Sequence, residues 1–275
     1  MARILRFQRR LTAAFALAAL AACQTHQPGA AVSGSDVRQV RFTHADSSVI
    51  PLNVVLDPRL DPSVEPAIRS EVEAMAGTLT LRLGTPTPTR PVQLTLFADE
   101  GDYRQHVSAR FPAFPVRRAV FAERSDRMEV VAQWNPRLAE DLRHETVHAC
   151  LHASLTNLPL WLDEGLAEYF ETTPAPGTLQ PQHLAALQNA YRMTGWRPRL
   201  QRLESLDDAA AMTELDYAEA WLWTYWMLSD AQLTQILKAY LAQPAALASP
   251  HALSDRVFAA VPDANDQIRL WIDAT

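Results

Sequence analysis

An α+β fold is what this 275-residue chain predicts. Short apolar runs of β type alternate with amphipathic helical stretches as far as Val131, and after Trp134 the β pattern stops and helical periodicity takes over. Hydrophobic residues make up 48% of the chain and charged residues 20%, which fits a globular domain with a sizeable core. The same values exclude a disordered, collagen-like or multi-pass membrane protein. The expected organisation is one domain over 36–275, with an α+β lobe over about 36–135 and a helical lobe over about 136–275.

In the first lobe the β-like runs are Val37–Phe42, Leu52–Leu56, Val92–Phe97, Ala119–Ala122 and Met128–Ala132, and helical stretches lie near Val64–Leu83 and Asp102–Phe111. In the second lobe the helical pattern covers Pro136–Ser154, Leu160–Phe170, Gln182–Met193, Glu214–Leu228, Ala231–Leu241 and two short terminal pieces. Asn135-Pro136 supplies a helix start, a cap followed by proline at the first helical position, and Asn157 with Pro159 supplies a stop. The segments Pro86–Thr89 and Thr173–Gly177 punctuate the chain without separating domains, and there is no internal repeat.

The amino terminus carries an export signal. Arg3, Arg6, Arg9 and Arg10 precede an apolar run from Leu11 to Ala22, too short for a stable transmembrane helix but of the size of a signal-peptide core. The run ends in Leu20-Ala21-Ala22-Cys23, which resembles the bacterial lipobox. The resemblance implies removal of residues 1–22, lipidation of Cys23, and a tether over 23–35 rich in Pro, Gly, Ala and Ser. Gln24, rather than an aspartate, follows the cysteine, which in Gram-negative lipoproteins implies passage to the outer membrane. The expected location is the cell envelope, lipid-anchored and facing the periplasm.

The formal net charge is -6, from 25 basic and 31 acidic residues, and only Lys238 among the bases is a lysine. No basic patch is dense enough to suggest a nucleic-acid partner. The expected signal peptide removes four arginines and no acid, leaving 21 bases against 31 acids. Such a body is repelled by anionic lipid, so acyl chains rather than electrostatics would hold it at a membrane. With two cysteines, Cys23 and Cys150, no disulfide framework is expected.

The chemistry-bearing segment is His144-Glu145-Thr146-Val147-His148, inside the helical stretch before Asn157. Residues four apart on a helix share a face, so both imidazoles can reach one cation while Glu145 approaches a metal-activated water. That is zinc geometry. His152 lies a further four residues on, about 6 Å along the axis at 1.5 Å per residue, beyond a site shared with His144. It is expected to line the cleft or to face solvent, and Cys150 to be a buried small apolar residue. No G-x-S-x-G elbow, P-loop or dinucleotide fingerprint is present.

After the Pro159 turn comes Trp161-Leu162-Asp163-Glu164-Gly165-Leu166-Ala167-Glu168-Tyr169, which resembles the W-L-x-E-G third-ligand segment of gluzincin metallopeptidases. From Trp134 to about Leu228 the chain resembles the peptidase-MA-like gluzincins, related to thermolysin and aminopeptidase N. The resemblance implies a zincin-like fold with the active-site helix between the lobes. It also implies Zn2+ held by His144, His148 and Glu164, with a fourth position open, and Glu145 as general base. Glu168 matches the position of an acid that orients the first histidine. Tyr217, in Tyr217-Ala218-Glu219-Ala220, matches the tyrosine of the Y-x-K-G segment that assists the oxyanion. The family lysine and glycine are replaced here by Glu219 and Ala220, and Tyr225 is a rival. Trp221, Trp223, Tyr225 and Trp226 read as packing rather than as a binding box.

Met128–Ala132 is expected to be the edge strand that borders the cleft and pairs with an extended substrate backbone. The aminopeptidase G-x-M-E-N motif is not intact, Glu129 after Met128 being only an echo, so no exopeptidase activity is inferred. The resulting expectation is a zinc metallopeptidase acting on a peptide or protein. Two competing readings are a catalytically silent zincin-fold lipoprotein for envelope binding or assembly, and a hydrolase of a non-peptide amide.

Overall fold

The computed structural model describes residues 50–112, 117–172, 176–249 and 251–275. The expected export signal, Cys23, the expected tether and the expected run at Val37–Phe42 lie outside the described residues. Among the described residues no helix is long and apolar enough to cross a membrane. In chain order the elements are β1 (Leu52–Leu56), α1 (Val64–Leu83), β2 (Val92–Phe97), α2 (Glu100–Arg110), β3 (Ala119–Glu123), β4 (Met128–Gln133), α3 (Leu138–Ser154), α4 (Leu160–Phe170), α5 (Pro181–Thr194) and α6 (Leu200–Glu204). The remainder are α7 (Glu214–Ser229), α8 (Ala231–Leu241), α9 (Pro244–Leu247), α10 (Ala252–Ala260) and α11 (Ala264–Ala274). The mixed α/β content agrees with the α+β expectation.

The strands form one mixed sheet in the order β1-β2-β4-β3. β1, β2 and β4 run parallel, and β3 pairs antiparallel with β4. α1 buries Ile68, Val72, Met75, Ala76, Leu79 and Leu83, a stripe at helical spacing, in the same core as Val92, Leu94 and Leu96 of β2. It stops where Gly84 takes a left-handed φ of 71° and returns its N–H to the Thr80 carbonyl. α2, capped by the Asp99 side chain, covers the other face with Tyr103 and Val107 against Val120, Ala122 and Val131.

Two local expectations are corrected. β4 is not the edge strand: it lies between β2 and β3, and β3 is the edge on that side. The turn after β3, closed by the Arg124 N–H on the Arg127 carbonyl at 2.8 Å, folds the chain back so that β3 takes the flank. Met128 through Ala132 are all buried, as a strand covered on both faces must be. Glu129 on that strand is satisfied by Arg110, Arg124 and Arg127 rather than left free for a substrate amine. In addition, Asn135-Pro136 forms a turn before α3 instead of its first turn. The Asn135 side chain accepts the Arg137 N–H at 2.7 Å and its carbonyl accepts the Leu138 N–H at 3.0 Å, so regular helix begins only at Leu138.

α3 packs on β3, β4 and α1 with one side and on α4 with another, and α4 in turn lies along α7. A single hydrophobic core runs from Ile50 and Val54 in the first lobe to Ile268 and Ile272 in the second, so the lobes share their interior.

Candidate metal centre

α3 enters from β4 and carries His144, Glu145 and His148 into the interior, where all three are buried. The chain then reverses: Asn157 adopts a left-handed φ of 58°, and the Pro159 carbonyl accepts the N–H groups of Leu162 and Asp163 at 3.0 Å to start α4. The reversal lays Glu164 beside the two histidines. Gly165 is required immediately after it, because a Cβ there would stand 2.5 Å from both the Ala220 carbonyl oxygen and Thr224 Oγ1 of α7. The glycine of the W-L-x-E-G segment thus lets α7 press against α4 behind the carboxylate.

The Nε2 atoms of His144 and His148 face each other at 3.2 Å. Glu164 Oε2 lies 4.0 Å from the first and 3.7 Å from the second. A triangle with these sides has a common point about 2.1 Å from every corner, within the range for zinc bound to imidazole nitrogen and carboxylate oxygen. Glu164 is fully buried, and both its oxygens lack a hydrogen-bond partner. A buried carboxylate without a donor or counterion is strongly disfavoured. Burial is the main cause that pushes its pKa well above the carboxylate range, with Asp163, Glu168 and Glu145 adding to the push and Arg117 opposing it. A cation at the common point would satisfy all three groups, so the residues fit a metal ion. Among the described residues the groups of this kind are His144 with His148 and Glu164, and His144 with Glu168 and Glu171.

The outer ring nitrogens are held by acids. Glu171 Oε2 lies 2.6 Å from His144 Nδ1. Asp163 Oδ1 lies 2.9 Å from His148 Nδ1, close but off the ideal N–H direction. A hydrogen on each Nδ1 leaves each Nε2 with a lone pair toward the common point, the tautomer a ligand requires. Glu168, expected to orient the first histidine, does lie beside it: one ligand atom each of His144, Glu168 and Glu171 fall within 4.8 Å of one another. The short contact to Nδ1 nevertheless comes from Glu171, while Glu168 Oε2 meets His183 Nε2 at 2.8 Å. Sequence reasoning missed Glu171 and Asp163. The available signal was position, since Glu171 follows Glu164 by seven residues and so returns to the same face of α4.

Glu145 stands apart from the ligand triangle. Burial raises its pKa to about 7, partly offset by His148, Arg117 and the backbone N–H of Phe121 on β3, with Asp141 adding to the rise. A carboxylate with a pKa near neutrality is suited to taking and returning a proton. Phe121 also stacks on the His148 ring, centroids 5.8 Å apart. The β3 edge strand therefore borders both Glu145 and His148.

Tyr217 is buried at the start of α7, its ring packed with Leu160 of α4, Ala209 and Met212. Tyr225 sits in an aromatic layer with Trp221 and Trp271, both at 5.4 Å, and Tyr169 at 6.3 Å. Trp221 and Trp223 are fully buried, as packing residues. Cys150 is buried, and that burial raises its thiol pKa to about 12, which keeps it an inert apolar residue. His152 is neither exposed nor a ligand: it lies between Asp163 and Glu123. No model of a known protein family matches the chain, and no curated protein matches it in sequence.

Proposed function

We propose that the chain is a zinc-dependent peptide-bond hydrolase of gluzincin type, built on a zincin-like fold and tethered in the cell envelope through Cys23. The observation that carries the reading is the fully buried, partnerless Glu164 carboxylate facing two inward-turned Nε2 atoms at 3.7 and 4.0 Å. His144, His148 and Glu164 would hold the ion. Zinc, when bound, supplies Lewis acidity, lowering the pKa of water toward about 7 and polarising a carbonyl. Glu145 accepts the proton of the attacking water and passes it to the leaving amine, a role its near-neutral pKa suits. The Tyr217 hydroxyl donates to the developing oxyanion.

An extended substrate would lie along β3 rather than β4, because β3 is the edge strand on that flank of the sheet and its Phe121 N–H is directed at Glu145. Main-chain pairing with a strand edge suits a peptide and places the scissile carbonyl beside the base. The lipid anchor, from the lipobox, would hold the enzyme at the outer membrane facing the periplasm.

The test combines elemental analysis of the mature protein with cleavage of a mixed peptide library by wild type and Glu145→Gln. One equivalent of zinc and cleavage that depends on Glu145 support the reading. Zinc without any Glu145-dependent cleavage replaces it with a silent envelope-binding domain. Cleavage of amides other than peptides replaces only the substrate class.

A further inference from the structure

The histidine series at positions 144, 148 and 152 ends in a residue that binds no common point with the others. Each ring nitrogen of His152 faces a carboxylate: Nε2 lies 2.9 Å from Asp163 Oδ2 and Nδ1 lies 3.2 Å from Glu123 Oε2. A ring between two ionised acceptors carries a hydrogen on both nitrogens, so it is an imidazolium. Burial alone would lower its pKa, but Asp163 and Glu123 together raise it to about 9. The hydrogen bond from His152 is in turn the main reason the Glu123 pKa falls to about 2.

Both neighbours continue the chain. Asp163, buried on α4, turns its other oxygen to His148 Nδ1 at 2.9 Å. Glu123, the last residue of β3, accepts from Arg90 Nη1 at 2.7 Å. Charges therefore alternate from Arg90 through Glu123, His152 and Asp163 to the His148 ring. The Phe121 ring lies 5.1 Å from His152 and 5.8 Å from His148.

We propose that His152 is a positioning residue of the metal centre, an ionic clasp that neutralises Asp163 so that this buried carboxylate holds His148 with Nε2 directed at the metal. The inference rests on the reading of His144, His148 and Glu164 as metal ligands. The need for the clasp follows from the crowding of acid around the site: Glu145, Asp163, Glu164, Glu168 and Glu171 are all buried. His152 fixes the outer oxygen of Asp163 at 2.9 Å, and with that oxygen held the other stays turned to His148 Nδ1. The clasp also ties the edge strand β3 to the helix pair that carries His148 and Glu164, because Glu123 belongs to β3, His152 to α3 and Asp163 to α4. Groups one and two contacts beyond a ligand commonly tune metal affinity by about ten- to a hundredfold.

Cobalt(II) titration of the metal-free protein, followed by visible absorption, tests this without recourse to activity. Wild type, His152→Gln, His152→Leu and Glu123→Gln are compared. His152→Gln keeps a donor for Asp163 and loses the charge, so cobalt affinity should fall by about tenfold with a shifted visible band. His152→Leu should lose about a hundredfold, and Glu123→Gln the least of the three. If His152→Leu does not fold, His152→Gln alone decides. Wild-type affinity with an unchanged spectrum in His152→Gln would overturn the clasp and leave the metal reading standing. Failure of wild type itself to bind cobalt would overturn the metal reading, and the clasp with it.

Discussion

Two buried glutamates, Glu129 on β4 and Glu164 on α4, meet opposite electrostatic fates. Glu129 accepts from Arg110 at 2.6 Å, Arg127 at 2.7 Å and Arg124 at 3.1 Å. Burial pushes its pKa up, but the three guanidiniums outweigh it and hold the value down to about 2. Glu164, fully buried, has no donor on either oxygen, and its pKa rises instead. A buried carboxylate surrounded by its own cations is a structural joint, complete as folded. One facing only two imidazole lone pairs is complete only when a further cation arrives. The same residue type therefore meets opposite electrostatics according to its partners.

The largest expected effect isolates the base from both. Under the proposed function, Glu145→Gln should retain metal and melting temperature while turnover falls by on the order of a thousandfold, because the variant lacks the carboxylate proposed to take the proton. Metal analysis beside steady-state kinetics checks this, and loss of metal would mean that Glu145 is itself a ligand. Tyr217→Phe keeps the packing against Leu160 and Met212 and removes only the hydroxyl. Turnover should drop by on the order of a hundredfold at unchanged stability, and wild-type turnover would remove the tyrosine from the mechanism.

Next come the two glutamates themselves. In metal-free protein, Glu129→Gln should cost about 2 kcal/mol, the loss of a buried ionic partner reduced by the partial exposure of the arginines. Glu164→Gln should leave metal-free stability unchanged or slightly higher, since it removes a carboxylate with no partner, yet it should lower metal uptake. Denaturant melts of both variants with and without zinc measure the contrast; equal losses in the absence of metal would erase it.

The smallest effect is one of pH. The Glu129 pKa is depressed from an ordinary value of 4.5 to about 2. Its stabilisation is therefore fully present above pH about 4.5 and fades as pH falls toward 2, by at most about 2 kcal/mol after allowance for solvent around the arginines. Acid titration of the unfolding free energy should lose that slope in Glu129→Gln and keep it in Cys150→Ser.

The helices were legible because their signals are local. Leu160–Phe170 and Ala231–Leu241 fold at the boundaries that apolar spacing predicts, and α7 begins at Glu214 under a capping box formed by Thr213 and Asp216. The four strands within the described residues were legible for the same reason. Their order was not, since whether Ala119–Glu123 or Met128–Gln133 takes the flank depends on how a hairpin folds back over an existing parallel sheet. A pattern of alternation carries no such information.

For the candidate centre, spacing on one helix brought His144 and His148 to one face, and the motif after the Pro159 turn singled out Glu164. Which acids steady the rings was decided only by tertiary packing. Glu171 makes a short contact with His144, Asp163 meets His148, and His152 bridges Asp163 to Glu123 across three elements. Helical periodicity assigns a residue to a face within one element, and it is blind to what another element sets against that face. The candidate ligands are thus legible in the sequence itself, whereas the partners of their rings exist only once α3, α4 and β3 have packed together, because a contact between distant segments has no local signal from which to be read.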